Sequence, residues 1–338
     1  MPPDSIFVEA NRDRGVVVLD HRTQIIPPPR PTPVLADLPE LFGLPARAAD
    51  LLRGHTLGLD LRCHPASALE RDQYLHEMLE LIRSPWIERS MQENRAAWER
   101  GWQHNLDEAR AGGFAPDTLK PKYFRGHRCL RWQRGLVVSE NRQIEYDLFV
   151  LARRLLFGWY LSGIRTIYEV GSGSGNNLWL LSDLFPDATI VGLDWVEPAV
   201  KLANELGSAT GRKIEGRRFD MLNPDRNMML EPGSAVVTIH ALEQLGDQSG
   251  ALLDWLAAAQ PALVLHYEPI LEFYDAANLL DYLALWYSER RRYLSGFWTA
   301  ITARRDAGEL EVLAAERPGV GGVYHEASVI IWRPTSRL

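Results

Sequence analysis

Between residues 165 and 194 the hydrophobic pattern changes period twice. Residues 165–170 form a short apolar run of β-branched and aromatic side chains, which reads as a buried strand. From Asn176 the spacing becomes helical, with Leu178, Leu181, Leu184 and Phe185 on one face, until Pro186 closes it. A second apolar run, 189–193, ends at Asp194. The unit is strand, helix, strand. Further short runs follow at 216–219, 234–240 and 262–266, and a final pair at 310–315 and 327–332 is joined by the glycine-rich 317–322. A long helical segment is predicted over about 275–305, and Ser139 is expected to cap a helix through Tyr160. Together these predict an α/β fold: a seven-stranded, mostly parallel, doubly wound sheet.

The N-terminal third is patterned differently. Apolar runs at 6–8 and 16–19 flank a polar turn, so a hairpin is expected within 5–27, followed by a proline-rich extended spacer at 27–33. Residues 34–65 carry no readable period. Residues 66–83 have helical spacing, and Ser84-Pro85 is expected to start a second helix bearing Trp86, Ile87, Met91, Trp98, Trp102 and Leu106. That aromatic stripe is read as core packing. The chain is therefore divided into an N-terminal hairpin and mainly helical cap, 1–135, and an α/β domain, 136–338.

Composition narrows the field. At 338 residues the chain is long for one domain, and 46% hydrophobic residues suit a sizeable core. A net charge of −7 argues against a nucleic-acid or anionic-membrane binder. Cys63 and Cys129 are the only cysteines, so neither a disulfide scaffold nor a cysteine-based zinc site is expected. With no signal pattern and no apolar run of spanning length, a cytoplasmic protein is expected. Against this acidic background, Lys120, Lys122, Arg125, His127, Arg128, Arg131 and Arg134 form a basic run interleaved with Tyr123, Phe124 and Trp132. Two readings stand: a solvated loop, or a grip for an anionic substrate through bidentate arginine contacts.

The chemistry starts at the turn after the first strand. Gly171, Gly173 and Gly175 alternate with small residues and bare the backbone to a ligand. A dinucleotide-binding turn reads G-x-G-x-x-G; here the sixth position is Asn176, and the third glycine arrives one residue early. Glu169, just before the turn, would repel a pyrophosphate and suits a ligand with an ammonium group. Glu169-x-Gly171-x-Gly173-x-Gly175 resembles motif I of class I (Rossmann-like) methyltransferases dependent on S-adenosylmethionine (SAM). The resemblance implies that the glycine turn lies against the amino-acid end of SAM and that Asp194 holds both ribose hydroxyls, since a carboxylate can accept from each. It places Trp195 against the adenine face, and Asp220, with Met221 beside it, at the adenine amino group. The last two strands resemble the β6–β7 antiparallel hairpin that ends the sheet in that family, and the N-terminal helices resemble its added caps. The segments Gly192-Leu193-Asp194-Trp195, Phe219-Asp220-Met221, Glu243-Gln244-Leu245-Gly246 and His266-Tyr267-Glu268-Pro269 are similar to uncharacterised bacterial methyltransferases of small molecules and sugars. The implied cofactor is SAM and its product S-adenosylhomocysteine (SAH).

Ligands of open α/β sheets sit beyond the carboxyl ends of the strands, where His240, Glu243, His266 and Glu268 are expected to converge. An oxygen acceptor gains from a base that takes its proton as the bond forms, and His240 and His266 are the expected bases. Glu243 or Glu268 would orient them or bind an acceptor hydroxyl; His325 and Glu326 are weaker candidates. The same four residues could ligate a divalent metal, but no local spacing demands one and no metal is assigned. Thr238-Ile239-His240-Ala241 stands where an amino-directed enzyme would carry Asn-Pro-Pro-Tyr. The expected reaction is methylation of a hydroxyl on a sugar or secondary metabolite. Alternatives are carbon or nitrogen methylation of a small acid, an NAD(P)-dependent oxidoreductase, and a non-catalytic SAM-binding module. Expected partners are a small-molecule acceptor, anionic if the basic run grips it, and a second copy of the chain in a homodimer.

Overall fold

The computed structural model describes residues 37–88, 95–124, 126–324 and 326–335. The hairpin expected within 5–27, the spacer at 27–33, and Met91, Arg125 and His325 lie outside the described residues.

A small antiparallel sheet comes first, built from β1 (His64–Pro65), β2 (Cys129–Trp132) and β3 (Gly135–Val138) in the order β1-β3-β2. The main sheet has seven strands: β4 (Thr166–Val170), β5 (Thr189–Asp194), β6 (Ile214–Arg218), β7 (Ala235–Ile239), β8 (Leu263–Glu268), β9 (Leu310–Glu316) and β10 (Ser328–Pro334). Their order is β6-β5-β4-β7-β8-β10-β9, with β4 to β8 mutually parallel and β10 antiparallel to both its neighbours. The expected arrangement of the last two strands is corrected in one respect. They do not close the sheet in chain order: the last strand, β10, sits inside it, and β9 takes the edge. The cause is the long helical crossover after β8, which carries the chain past one vacant strand position before β9 begins.

The helices are α1 (Leu38–Leu41), α2 (Ala68–Arg83), α3 (Arg95–Ala111), α4 (Ile144–Tyr160), α5 (Asn176–Leu184), α6 (Glu197–Thr210), α7 (Gly250–Ala259), α8 (Leu279–Arg291) and α9 (Phe297–Asp306). Period-2 alternation splits each strand between two cores. Ile167, Ile190, Val237 and Leu265 join the cluster that includes residues of α4, α5 and α6, while Tyr168, Val191, Val236 and Val264 join the one under α7 and α9. α2 begins where its sequence predicts, because Ser67 and Glu70 form a reciprocal capping box.

Three local expectations change. Ser84 ends α2 in extended conformation, as a residue before proline prefers, and Pro85–Glu88 is a single 3₁₀ turn ahead of α3. Ser139 caps no helix; its hydroxyl donates to Arg62 O, and α4 starts after Gln143. The segment expected as one helix over 275–305 breaks at Arg292 and Gly296, both left-handed, giving α8 and α9. The boundary expected at 135/136 falls inside β3, so the small sheet draws on both proposed domains.

Candidate active site

The glycine turn sits at the carboxyl end of β4. Gly171, Gly173 and Gly175 all have positive φ, between 47° and 80°, which L side chains rarely adopt. Gly173 N–H donates to Asp194 Oδ2 at 2.9 Å and Val196 N–H to Oδ1 at 3.0 Å, so the acid after β5 clamps the turn. Burial pushes the Asp194 carboxyl up to about 6, against the backbone donors that favour its charge.

Alternation along β4 turns Glu169 to the α4 and α5 side of the sheet, fully buried. Its Oε1 accepts from Asn177 Nδ2, whose own Oδ1 accepts from Arg153 Nη1; Arg153 also donates to Asn176 Oδ1 at 2.8 Å. Glu169 Oε2 is buried with no hydrogen-bond partner among the described residues, and so is the hydroxyl of Ser172 in the turn itself. Burial pushes Glu169 up to about 8, with Asp194 adding and Asn177 and Arg153 opposing. Two orphaned polar atoms beside a bared backbone fit a ligand that brings a cation and hydrogen-bonding groups.

The rest of the expected cofactor set is spread along the same edge. Phe219 N–H donates to Asp194 O at 2.9 Å, which ties the ends of β5 and β6 together. Asp220 follows, exposed, its Oδ1 taking Leu222 N–H at 2.9 Å. Met221 packs in the core with Phe219, and Trp195 is half-buried after β5.

At the ends of β7 and β8 the expected set divides. His240 has φ +50°, a strained conformation for a non-glycine residue, held by its N–H donating to Tyr267 O at 3.1 Å. Its Nδ1 lies 3.7 Å from Glu243 Oε2, and both side chains are about 15% exposed: 16% and 14%. Phe149 and Tyr267 flank the imidazole. His266 is different, and its expected role as a base is corrected. β8 runs on to Glu268, so His266 lies within the strand and is fully buried. Trp332 Nε1 donates to its Nε2 at 2.9 Å and Thr238 Oγ1 lies 2.9 Å from Nδ1; burial pushes the ring down to about 3. Both nitrogens are committed. Glu268 is also withdrawn from acceptor contact: its two oxygens take the N–H groups of Ala241 and Leu242 at 3.0 and 3.2 Å, so it shapes the loop carrying His240. Burial pushes it up to about 8, with Glu243 adding. The four-ligand metal site therefore does not assemble, and no group of three or more metal-binding side chains occurs among the described residues.

Among the described residues of the basic run, four have partners within the chain. Lys122 pairs with Glu108 at 2.6 Å, Lys120 with Gln143, and Arg128 with Glu140. Arg131 is fully buried in β2, in a network with Asp281 (2.5 Å), Glu326 (3.1 Å), Arg317 and Tyr274. Glu326 is thus structural as well.

The sequence reading missed three residues. Arg153 stands alone among the apolar positions of α4, a signal that was available. Tyr123 is 53% exposed as a residue but its hydroxyl is turned inward: burial raises it, Arg153 opposes, and Glu243, Glu169 and Glu268 add. Trp102, assigned to the core, is half-buried and lies on the glycine turn: a Cβ built on Gly173 would meet its Cη2 at 2.6 Å.

Fold and site define an α/β protein with a mostly parallel seven-stranded sheet and a set of mostly buried polar side chains at the carboxyl ends of β4, β5 and β7. No protein-family model matches the chain. Among solved structures it is similar to a mitomycin 7-O-methyltransferase, 16% identical over 89% of this chain and 91% of that one, with a TM-score of 0.41. It is also similar to an O-methyltransferase from neocarzinostatin biosynthesis, in complex with SAM and 2-hydroxy-5-methyl naphthoic acid, 17% identical over 57% of this chain and 58% of that one, TM-score 0.38. A third is the N,N-8-amino-8-demethyl-D-riboflavin dimethyltransferase from Streptomyces davawensis, 17% identical over 57% of this chain and 56% of that one, TM-score 0.41. The chain spans little more than half the length of the second and third. No helix among the described residues is long and apolar enough to cross a membrane.

Proposed function

We propose that the chain is a SAM-dependent methyltransferase that acts on a hydroxyl of a small-molecule acceptor. The observation that carries this reading is the orphaned Oε2 of Glu169, a buried carboxylate oxygen beside a bared glycine turn. An α-amino group held against that oxygen draws the carboxyl into its charged form and pairs with it, whereas a dinucleotide phosphate brings a like charge that leaves it protonated. Asp194, clamped at the turn, retains lone pairs for a vicinal diol. SAM bound there supplies the methyl group.

The chain's own contribution to the transfer is orientation and proton removal. His240, strained and partly exposed at the sheet end, is the group suited to take the acceptor's proton, with the Glu243 carboxylate 3.7 Å away to favour the imidazolium that forms. Glu268 fixes their loop through two backbone N–H groups and does not touch the acceptor. A sugar or a secondary metabolite both satisfy this chemistry.

Calorimetry of the full chain with SAH tests the cofactor; no heat at any accessible concentration would sink it. Once an acceptor is in hand, His240→Gln is expected to lower kcat by about 10²–10⁴-fold with SAH affinity unchanged. An unaffected kcat would remove His240 from the chemistry.

A further inference from the structure

The glycine turn is covered. α3 crosses it, and the indole of Trp102 rests on the bare face of Gly173, with Trp98 stacked behind at 6.1 Å and 28°. α3 is moored to α6 by a bidentate pair, Arg110 Nε and Nη2 to Glu205 at 2.7 and 2.6 Å, both side chains well exposed. The same turn holds polar atoms without partners: among the described residues Glu169 Oε2 and Ser172 Oγ make no hydrogen bond, and Asp194, which takes the Gly173 N–H, is only 5% exposed. An indole packed on a turn whose polar groups are unsatisfied offers them no partner, and each such group forgoes the hydrogen bond it would make with water or a ligand.

We propose that α3 is a lid whose Trp102 competes with the cofactor for the face of Gly173, so that cofactor binding requires α3 to move off the turn. This rests on the SAM reading, since the competing ligand is the adenosyl sulfonium or its demethylated product. Gly173 then has two reasons to be glycine, its φ of +47° and the contact it makes in either arrangement. The mooring is weak by design: an exposed ion pair on a helix surface holds the lid without locking it. A binding site blocked for most of the time lowers apparent affinity by the fraction of time it is open, so removing the blocker raises affinity by the inverse of that fraction.

The experiment is SAH binding, by calorimetry and stopped-flow, to the full chain and to Trp102→Ala and Glu205→Gln. The expected result is faster association and about tenfold tighter binding for Trp102→Ala, as for a seat covered roughly nine-tenths of the time. Glu205→Gln should shift in the same direction by less, and it reports on the lid even if the tryptophan variant folds poorly. Weaker or unchanged SAH binding in Trp102→Ala would overturn the lid and make Trp102 a wall of the site. Failure of all three proteins to bind SAH would instead overturn the cofactor reading itself. Binding by the variants alone would support both.

Discussion

Two buried charge clusters among the described residues are finished to different degrees. In the first, Arg131, Arg317, Asp281 and Glu326 saturate one another: Arg317 bridges both carboxylates at 2.6–2.7 Å, Arg131 pairs with both, and Tyr274 donates to Glu326 at 3.0 Å. Although it is buried, Asp281 is held below its ordinary range by Arg317 and Arg131. In the second, at the glycine turn, Arg153 has only neutral hydrogen-bond partners among the described residues, and Glu169 reaches it through the amide of Asn177. One carboxylate oxygen is left over. A closed cluster binds parts of the fold together; an open one is available for something from outside.

The sharpest way to break the contrast is to open the closed cluster. Asp281→Ala should cost about 3–5 kcal/mol of stability, because it leaves two buried guanidiniums to share one carboxylate, Glu326. Urea unfolding measures this, and SAH affinity of the folded protein should not change. A loss below 1 kcal/mol, or a parallel loss of SAH binding, would erase the distinction. Next in size is Asp194→Asn, which should weaken SAH by about 1.5–3 kcal/mol through a lost charge-assisted hydrogen bond. Equal affinity in calorimetry would show that the acid only clamps the turn.

The last effect concerns protons. Glu169 is raised to about 8, so at neutral pH it is mainly protonated, and a bound ammonium group favours its charged form. SAH affinity should therefore climb as pH rises from 6 to 8, by at most about tenfold per unit, and level off above. Binding should release protons, visible as a dependence of the heat on buffer ionisation, and Glu169→Gln should flatten both. A flat profile in the unaltered protein would place the ammonium elsewhere.

Much of the fold was legible because the strands of a parallel sheet are buried on both faces and stand out as apolar runs. The glycine turn was legible for a related reason: three positions with positive φ leave a compositional trace. The errors arose where one residue's neighbours decide its role. His266 was read as a strand-end base because β8 was expected to stop there; two further residues moved it into the core, where Trp332 and Thr238 take its nitrogens. Arg131 looked like surface charge because its acids, Asp281 and Glu326, are 150 or more residues away in sequence. Trp102 fitted a core stripe on its own helix, and only the packing of α3 over α6 shows that it faces Gly173.

The position of β10 affects how the chain can be shortened. β8 gains its outer neighbour only when residues 328–334 arrive, and β9 touches the sheet solely through them. A product cut before Ser328 would keep every residue of the candidate site yet leave an open edge on β8 and a detached strand beside it. Such fragments should stick to one another rather than stay in solution, which makes the C-terminal segment a poor place to trim when preparing the protein for crystals.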